Sequence, residues 1–298
     1  MSLQFGRLIT AMITPFDQKG NVNFDEAIRL GKFLVDNGTE SIVLAGTTGE
    51  SPTLTHTEEY ELFRQFVKTF KGKAKIIAGT GSNSTKTAIE STQKAEEIGV
   101  DGSLQVAPYY NKPSQEGFYQ HFKAIAESTK LPIILYNIPG RTGKNVEPET
   151  IARLSKIKNI IGVKEAAGSV EQAQKIRELT PESFLIYSGD DALTLKFMEV
   201  GACGVISVAA HCAGKMIAAM INEFVSGNKK KSAELEKELM PLFDVLFITS
   251  NPTPVKAAME LMGFKSGGLR LPLVNATEEE KSKIRTVLTN LGVLALTR

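Results

Sequence analysis

Lys164 closes the run Ile160-Ile161-Gly162-Val163-Lys164, a cation at the end of an apolar stretch. Removing an ammonium from water is unfavourable, so aliphatic surroundings favour the neutral amine, the nucleophile that forms a Schiff base with a carbonyl compound. The same side chain can instead snorkel to water or pair with the adjacent Glu165, and position alone leaves both readings open. Tyr136 ends Ile133-Ile134-Leu135-Tyr136 in the same way, where a phenol either moves protons or hydrogen-bonds across a core. Gly46-Thr47-Thr48-Gly49-Glu50 offers two hydroxyls and flexible amides, which either hold a small carboxylate or simply make a turn. Arg141, within Ile138-Pro139-Gly140-Arg141-Thr142-Gly143, is a guanidinium suited to bidentate carboxylate binding or a plain surface charge. Tyr109-Tyr110 puts two aromatics on a loop, where a contact surface is a better fit than a core.

These residues lie far apart in the chain, so the fold must bring them together. Eight β-rich runs are read at Leu8–Phe16, Ser41–Gly46, Lys75–Gly81, Gly102–Pro108, Pro132–Pro139, Ile160–Ala166, Phe184–Asp190 and Gly204–Ala210. They recur about every 28 residues, the length of a strand plus a crossover helix. Several are apolar without alternation, as expected of parallel strands covered on both faces. Helix punctuation fills the gaps. Thr55-His56-Thr57-Glu58 has the spacing of a capping box, Asn23 can cap the first helix with Gly38 ending it, and Pro148 suits a first turn.

Eight consecutive units predict a (β/α)8 barrel over residues 1–227, with the active site at the C-terminal ends of its strands. An open doubly wound sheet more often carries Gly-x-Gly-x-x-Gly after its first strand, and Thr14-Pro15-Phe16-Asp17 is nothing like it. Residues 228–298 read as a helical extension packed on the barrel, with helices near Lys231–Ile248, Pro254–Met262 and Thr277–Leu291. Pro241 is expected to kink the first, and Thr277-Glu278-Glu279-Glu280 to cap the third.

Composition narrows the chemistry. The 298 residues carry 35 basic and 33 acidic side chains, a net charge of +2 that gives no electrostatic reason to bind nucleic acid or an anionic membrane. No apolar stretch is long enough to span a bilayer, and Met1-Ser2-Leu3-Gln4-Phe5-Gly6-Arg7 is no secretory leader, so a cytosolic protein is expected. Cys203 and Cys212 make no disulfide framework, and His56, His121 and His211 lack metal-ligand spacing, so neither metal nor cofactor is expected. Ser188-Gly189-Asp190-Asp191 would repel phosphate and reads as a helix cap, while Gly79-Thr80-Gly81-Ser82 is too weak a match for a nucleotide loop. The substrate is therefore expected to be small and unphosphorylated. Lys229-Lys230-Lys231 reads as a solvated helix edge.

Gly46-Thr47-Thr48-Gly49-Glu50, Tyr136-Asn137-Ile138-Pro139-Gly140-Arg141-Thr142-Gly143 and Gly162-Val163-Lys164-Glu165-Ala166, in this order at matching strand ends, resemble the dihydrodipicolinate synthases. The likeness runs from Thr10-Ala11-Met12-Ile13-Thr14-Pro15-Phe16 through the helical extension. It implies that Lys164 forms an imine with pyruvate and that the derived enamine adds to L-aspartate 4-semialdehyde, in the diaminopimelate and lysine pathway. It further implies a proton relay of Thr47, Tyr136 and Tyr110, with Tyr110 contributed across a dimer interface. Thr47 and Thr48 would hold the pyruvate carboxylate and Arg141 that of the semialdehyde, with Gly189 and the carbonyl of Ile206 lining the pocket. The resemblance implies a homo-oligomer, usually a dimer of dimers. N-acetylneuraminate lyases within the same pyruvate-dependent class I aldolases look similar, but typically carry Ser-Thr-Gly-Glu at 47–50 and lack Gly-Arg-Thr-Gly after Pro139. A third possibility is a barrel kept as a pyruvate sensor, against which the retained Lys164, Tyr136 and Thr47 weigh together.

Ser51, His56, Asn83 and Tyr109 match the residues of an inhibitory lysine site found in many such enzymes. Glu59 stands where sensitive members have histidine, and Thr87 where glutamate is usual. Losing the acid that would pair with the effector's ammonium should weaken binding roughly tenfold, so weak or absent lysine feedback is expected.

Overall fold

The structure is a computed structural model and describes residues 3–294; Met1 and Ser2, part of the stretch read for a leader, lie outside it. Eight parallel strands close on themselves: β1 (Leu8–Ala11), β2 (Ser41–Leu44), β3 (Lys75–Gly79), β4 (Gly102–Val106), β5 (Ile133–Asn137), β6 (Ile160–Glu165), β7 (Leu185–Ser188) and β8 (Gly204–Ser207). Every neighbouring pair is parallel and β8 returns to β1, pairing Ile206 with Ile9. This is the expected (β/α)8 barrel.

Around it run α1 (Phe24–Asp36), α2 (His56–Phe70), α3 (Thr85–Ile98), α4 (Gln115–Glu127), the single turn α5 (Pro139–Thr142), α6 (Pro148–Leu154), α7 (Val170–Leu179), α8 (Thr194–Glu199) and α9 (Ala210–Val225). The sequence signals for their starts are realised as hydrogen bonds. Asn23 accepts from the Glu26 amide, Thr55 and Glu58 form a reciprocal capping box, and Pro148 opens α6. Three more helices follow: α10 (Lys229–Val245), α11 (Thr253–Leu261) and α12 (Glu278–Asn290), the last with its own box from Thr277 and Glu280. The helix α10 continues past Pro241, and its first three lysines are exposed. No helix among the described residues is long and apolar enough to cross a membrane.

The core has an inside and an outside. Ile9, Ala11, Val43, Ile77, Leu104, Ile134, Tyr136, Tyr187 and Ile206 fill the barrel, one inward side chain every second residue. The outward residues meet the helices in two clusters, and the larger joins barrel residues such as Leu8 and Phe63 to Leu242, Val255 and Ile284 of the C-terminal helices.

The sixth strand breaks the alternation. Ile133 pairs with Ile160, but Ile134 pairs with Gly162, so Ile161 is an extra residue in the ladder. Counting by twos from outward-facing Ile160 would send Lys164 outward. The bulge resets the count: Val163 joins the outer cluster, and Lys164 lies in register beside inward-facing Tyr136. Gly162 accommodates this close approach, since a Cβ there would sit 2.5 Å from the Leu185 carbonyl oxygen.

Candidate active site

Lys164 is only 5% exposed, so it does not snorkel, and its Nζ lies 4.3 Å from the centre of the Tyr136 ring. A cation or amine over an aromatic face is held by the ring's quadrupole. The expected alternative, a pair with Glu165, is not formed among the described residues. Glu165 faces away and accepts from Asn137 Nδ2 at 3.0 Å, Gln172 Nε2 at 3.0 Å and the Ala167 amide at 2.7 Å. Burial pushes its carboxyl above the usual carboxylate range. Asn137 and Gln172 also hold Asn145, so a polar network braces the ends of β5 and β6 from outside. Gly189, just after β7, must be glycine for space: an added Cβ would lie 2.6 Å from Ala166 Cβ and 3.0 Å from Lys164 Cε.

Tyr136, Thr47 and Arg141 line one cleft of about 480 Å³ at the C-terminal ends of β2 to β5. Lys164 is not in that lining and meets it through the Tyr136 ring. Ile206 lies with Tyr136 in the barrel interior. The turn after β2 is tightly wound, with Ala45 and Glu50 in left-handed conformations at φ +50° and +56°. Such backbone costs about 1–3 kcal/mol per non-glycine residue and persists only where neighbours enforce it. Thr14 Oγ1 donates to the Gly49 carbonyl, and Thr48 Oγ1 accepts from Asn251 Nδ2 at 2.9 Å. Arg141, on α5, is exposed at the cleft edge and donates from Nη2 to the Asn251 carbonyl.

Tyr109 lines the same cleft, whereas Tyr110 is 89% exposed on left-handed backbone and does not line it. Ser51, His56 and Thr87 continue the cleft away from Tyr136, and the Asn83 side chain donates to the Tyr109 carbonyl. Glu59 is buried among them, accepting from Ser51 Oγ at 2.7 Å and lying 3.0 Å from His56 Nδ1, with its carboxyl pushed up by desolvation. The other two histidines are buried and hydrogen-bonded within the fold: the His211 Nε2 accepts from the Ile13 amide, and His121 bonds Thr85. The acidic end of β7 is a cap, as read: Asp190 accepts from the Ala192 amide. No cluster of three or more His, Cys, Asp or Glu placed for a metal occurs among the described residues.

Sequence reasoning missed three contributors. Asn251 joins Thr48 to Arg141; Lys256 pairs with Glu50 at 2.6 Å; and Asp191 accepts from Ser207, Val208 and Ala209 to fix the start of α9. None has a local signature, because the partners are remote in sequence.

A buried lysine stacked on a tyrosine at adjacent strand ends, in a barrel with a polar mouth, defines a (β/α)8-barrel enzyme. A family model described as the dihydrodipicolinate synthetase family matches residues 4–291. The 4-hydroxy-tetrahydrodipicolinate synthase of Moorella thermoacetica is 55% identical over 292 residues, spanning 98% of this chain and 100% of its own. Among solved structures, the dihydrodipicolinate synthase of Bacillus anthracis superposes with a TM-score of 0.94 at 49% identity, covering 97% of this chain and 99% of that one. That of Cyanidioschyzon merolae, solved with lysine bound, gives 0.96 at 48% identity, covering 98% and 99%. The chain belongs to the dihydrodipicolinate synthase family, and it is a lyase.

Proposed function

We propose that this lyase condenses pyruvate with L-aspartate 4-semialdehyde through a Schiff base on Lys164, acting in the cytosol in lysine biosynthesis. The observation that carries the reading is Lys164 itself, buried at a strand end against Tyr136 and turned inward by the bulge in β6. The amine attacks the ketone of pyruvate and water leaves, giving an imine. Loss of a methyl proton yields the enamine, whose carbon adds to the aldehyde and forms the new C–C bond. The amine of the joined chain then attacks the imine carbon, and Lys164 departs as the ring closes.

Tyr136 is the acid and base nearest the imine, with Thr47 and Tyr110 completing the relay. Thr47 and Thr48 take the pyruvate carboxylate and Arg141 that of the semialdehyde, with Gly189 and the carbonyl of Ile206 shaping the pocket. The exposure of Tyr110 suits a residue that completes a neighbouring protomer's site, in a homo-oligomer of at least two and most readily four chains. The names carried by the relatives favour this chemistry over that of a sugar aldolase.

Borohydride trapping with pyruvate, followed by intact mass and peptide mapping, tests the reading. A mass increase on Lys164 that is lost in Lys164→Ala is expected. No adduct, or one on another lysine, would overturn it.

A further inference from the structure

We propose that Asn251, at the entry to α11, is a positioning residue that sets Thr48 and Arg141 relative to one another. The inference rests on the reading that these two hold the substrates' carboxylates. Asn251 is 6% exposed and bridges two segments that are 203 and 110 residues away from it in sequence. Its Nδ2 donates to Thr48 Oγ1 at 2.9 Å, while its carbonyl accepts from Arg141 Nη2 at 3.2 Å. That bond is the only one the Arg141 side chain makes among the described residues. One residue thus ties both candidate carboxylate holders.

The amide is poorly suited to a purely structural role. Its Oδ1 is buried without a partner, an arrangement that destabilises a fold and persists where another demand outweighs it. Thr48 is the partner that the amide does have.

The segment carrying Asn251 is itself anchored to the same turn. Five residues further on, Lys256 Nζ meets Glu50 Oε1 at 2.6 Å and donates to the Gly268 carbonyl, while the Arg270 amide donates to Glu50 Oε2. Thr48 and Glu50 are therefore held, two residues apart, by one helix and the segments that enter and leave it. The chemical reason for such a clamp is geometric. Two substrates must meet with reacting carbons aligned, and small displacements of either carboxylate holder spoil that alignment.

The test compares Asn251→Ala, Thr48→Val, the double variant and Asn251→Asp, reading KM for each substrate, kcat and the rate of imine trapping. Loss of one hydrogen bond should raise the pyruvate KM of Asn251→Ala about three- to tenfold. The semialdehyde KM should move less, because the carbonyl that holds Arg141 survives. If Asn251 acts through Thr48, the double variant is no worse than Thr48→Val alone. Asn251→Asp keeps the shape and brings an anion beside the carboxylate pocket, so its pyruvate KM should exceed that of Asn251→Ala. Additive effects, or an unchanged KM in both Asn251 variants while Thr48→Val is impaired, would overturn the inference alone. An unchanged pyruvate KM in Thr48→Val would overturn the reading beneath it, and this inference with it.

Discussion

His211 is wholly enclosed, and burial holds its pKa at about 4, below the ordinary 6.5, even though its Nδ1 faces the Val208 carbonyl. The neutral ring is what the structure needs, because Nε2 must accept from Ile13 in the loop after β1. An unfolded chain would take up a proton near pH 6.5 and the folded one not until about 4. Between those values the unfolded state binds more protons, so this histidine's contribution is full above 6.5 and is lost as pH falls toward 4. Buried carboxyls pushed upward, such as Glu165 and Asp191, act in the opposite sense, so the comparison must be between variants. The gap in unfolding midpoint between the parent and His211→Gln should narrow from pH 7 to pH 4. A constant gap in parallel melts would contradict this. At this scale, residue type was enough to nominate Lys164, Tyr136, Thr47 and Arg141, because each ends a legible strand or turn. It could not nominate Asn251, an ordinary loop asparagine until the fold brings Thr48 to it.

Elements were legible where apolar periodicity and caps are local. All eight strands begin within one residue of where the sequence places them, and all end one to five residues earlier. The overshoot has a cause: Met12, Ile13 and Phe16 are buried like strand residues but lie in the loop that folds over the barrel. The bulge in β6 was not legible, since nothing in Ile160–Lys164 marks which residue is the extra one. Nor was the tie between the β2 turn and the C-terminal helices. Lys256 and Glu50 are each about 1% exposed, and the pair is further enclosed by Phe16, over whose ring Lys256 lies at 4.0 Å. Removing one partner of a buried pair strands the other charge, a loss of about 3–5 kcal/mol, whereas neutralising both is far milder. Lys256→Met should therefore be strongly destabilised and Lys256→Met/Glu50→Gln should recover most of the loss, as read from denaturant midpoints. A double variant no better than the single would show that the pair is not what binds the turn to α11.

Across the whole molecule, the four non-glycine residues with left-handed backbone among those described are Ala45, Glu50, Tyr110 and Lys112. They fall in the two loops that carry Thr47, Thr48, Tyr109 and Tyr110, so local strain is concentrated where the site is built. The cleft between those loops runs from Tyr136 to Ser51, His56 and Thr87, and its buried acid, Glu59, is already engaged by Ser51 and His56. Thr87 brings no carboxylate. A diamino acid entering here finds no free anion for its side-chain ammonium, and added lysine should leave activity largely intact below the millimolar range; half-inhibition at sub-millimolar lysine would refute this. The supernumerary residue in the sixth strand has one last implication. Laid as an unbroken pleat from Ile160 with every residue kept, the strand would swing the amine out toward the helices and bring the next residue's carboxylate into the lumen. What separates an amine from an acid at the heart of this barrel is a single step of parity.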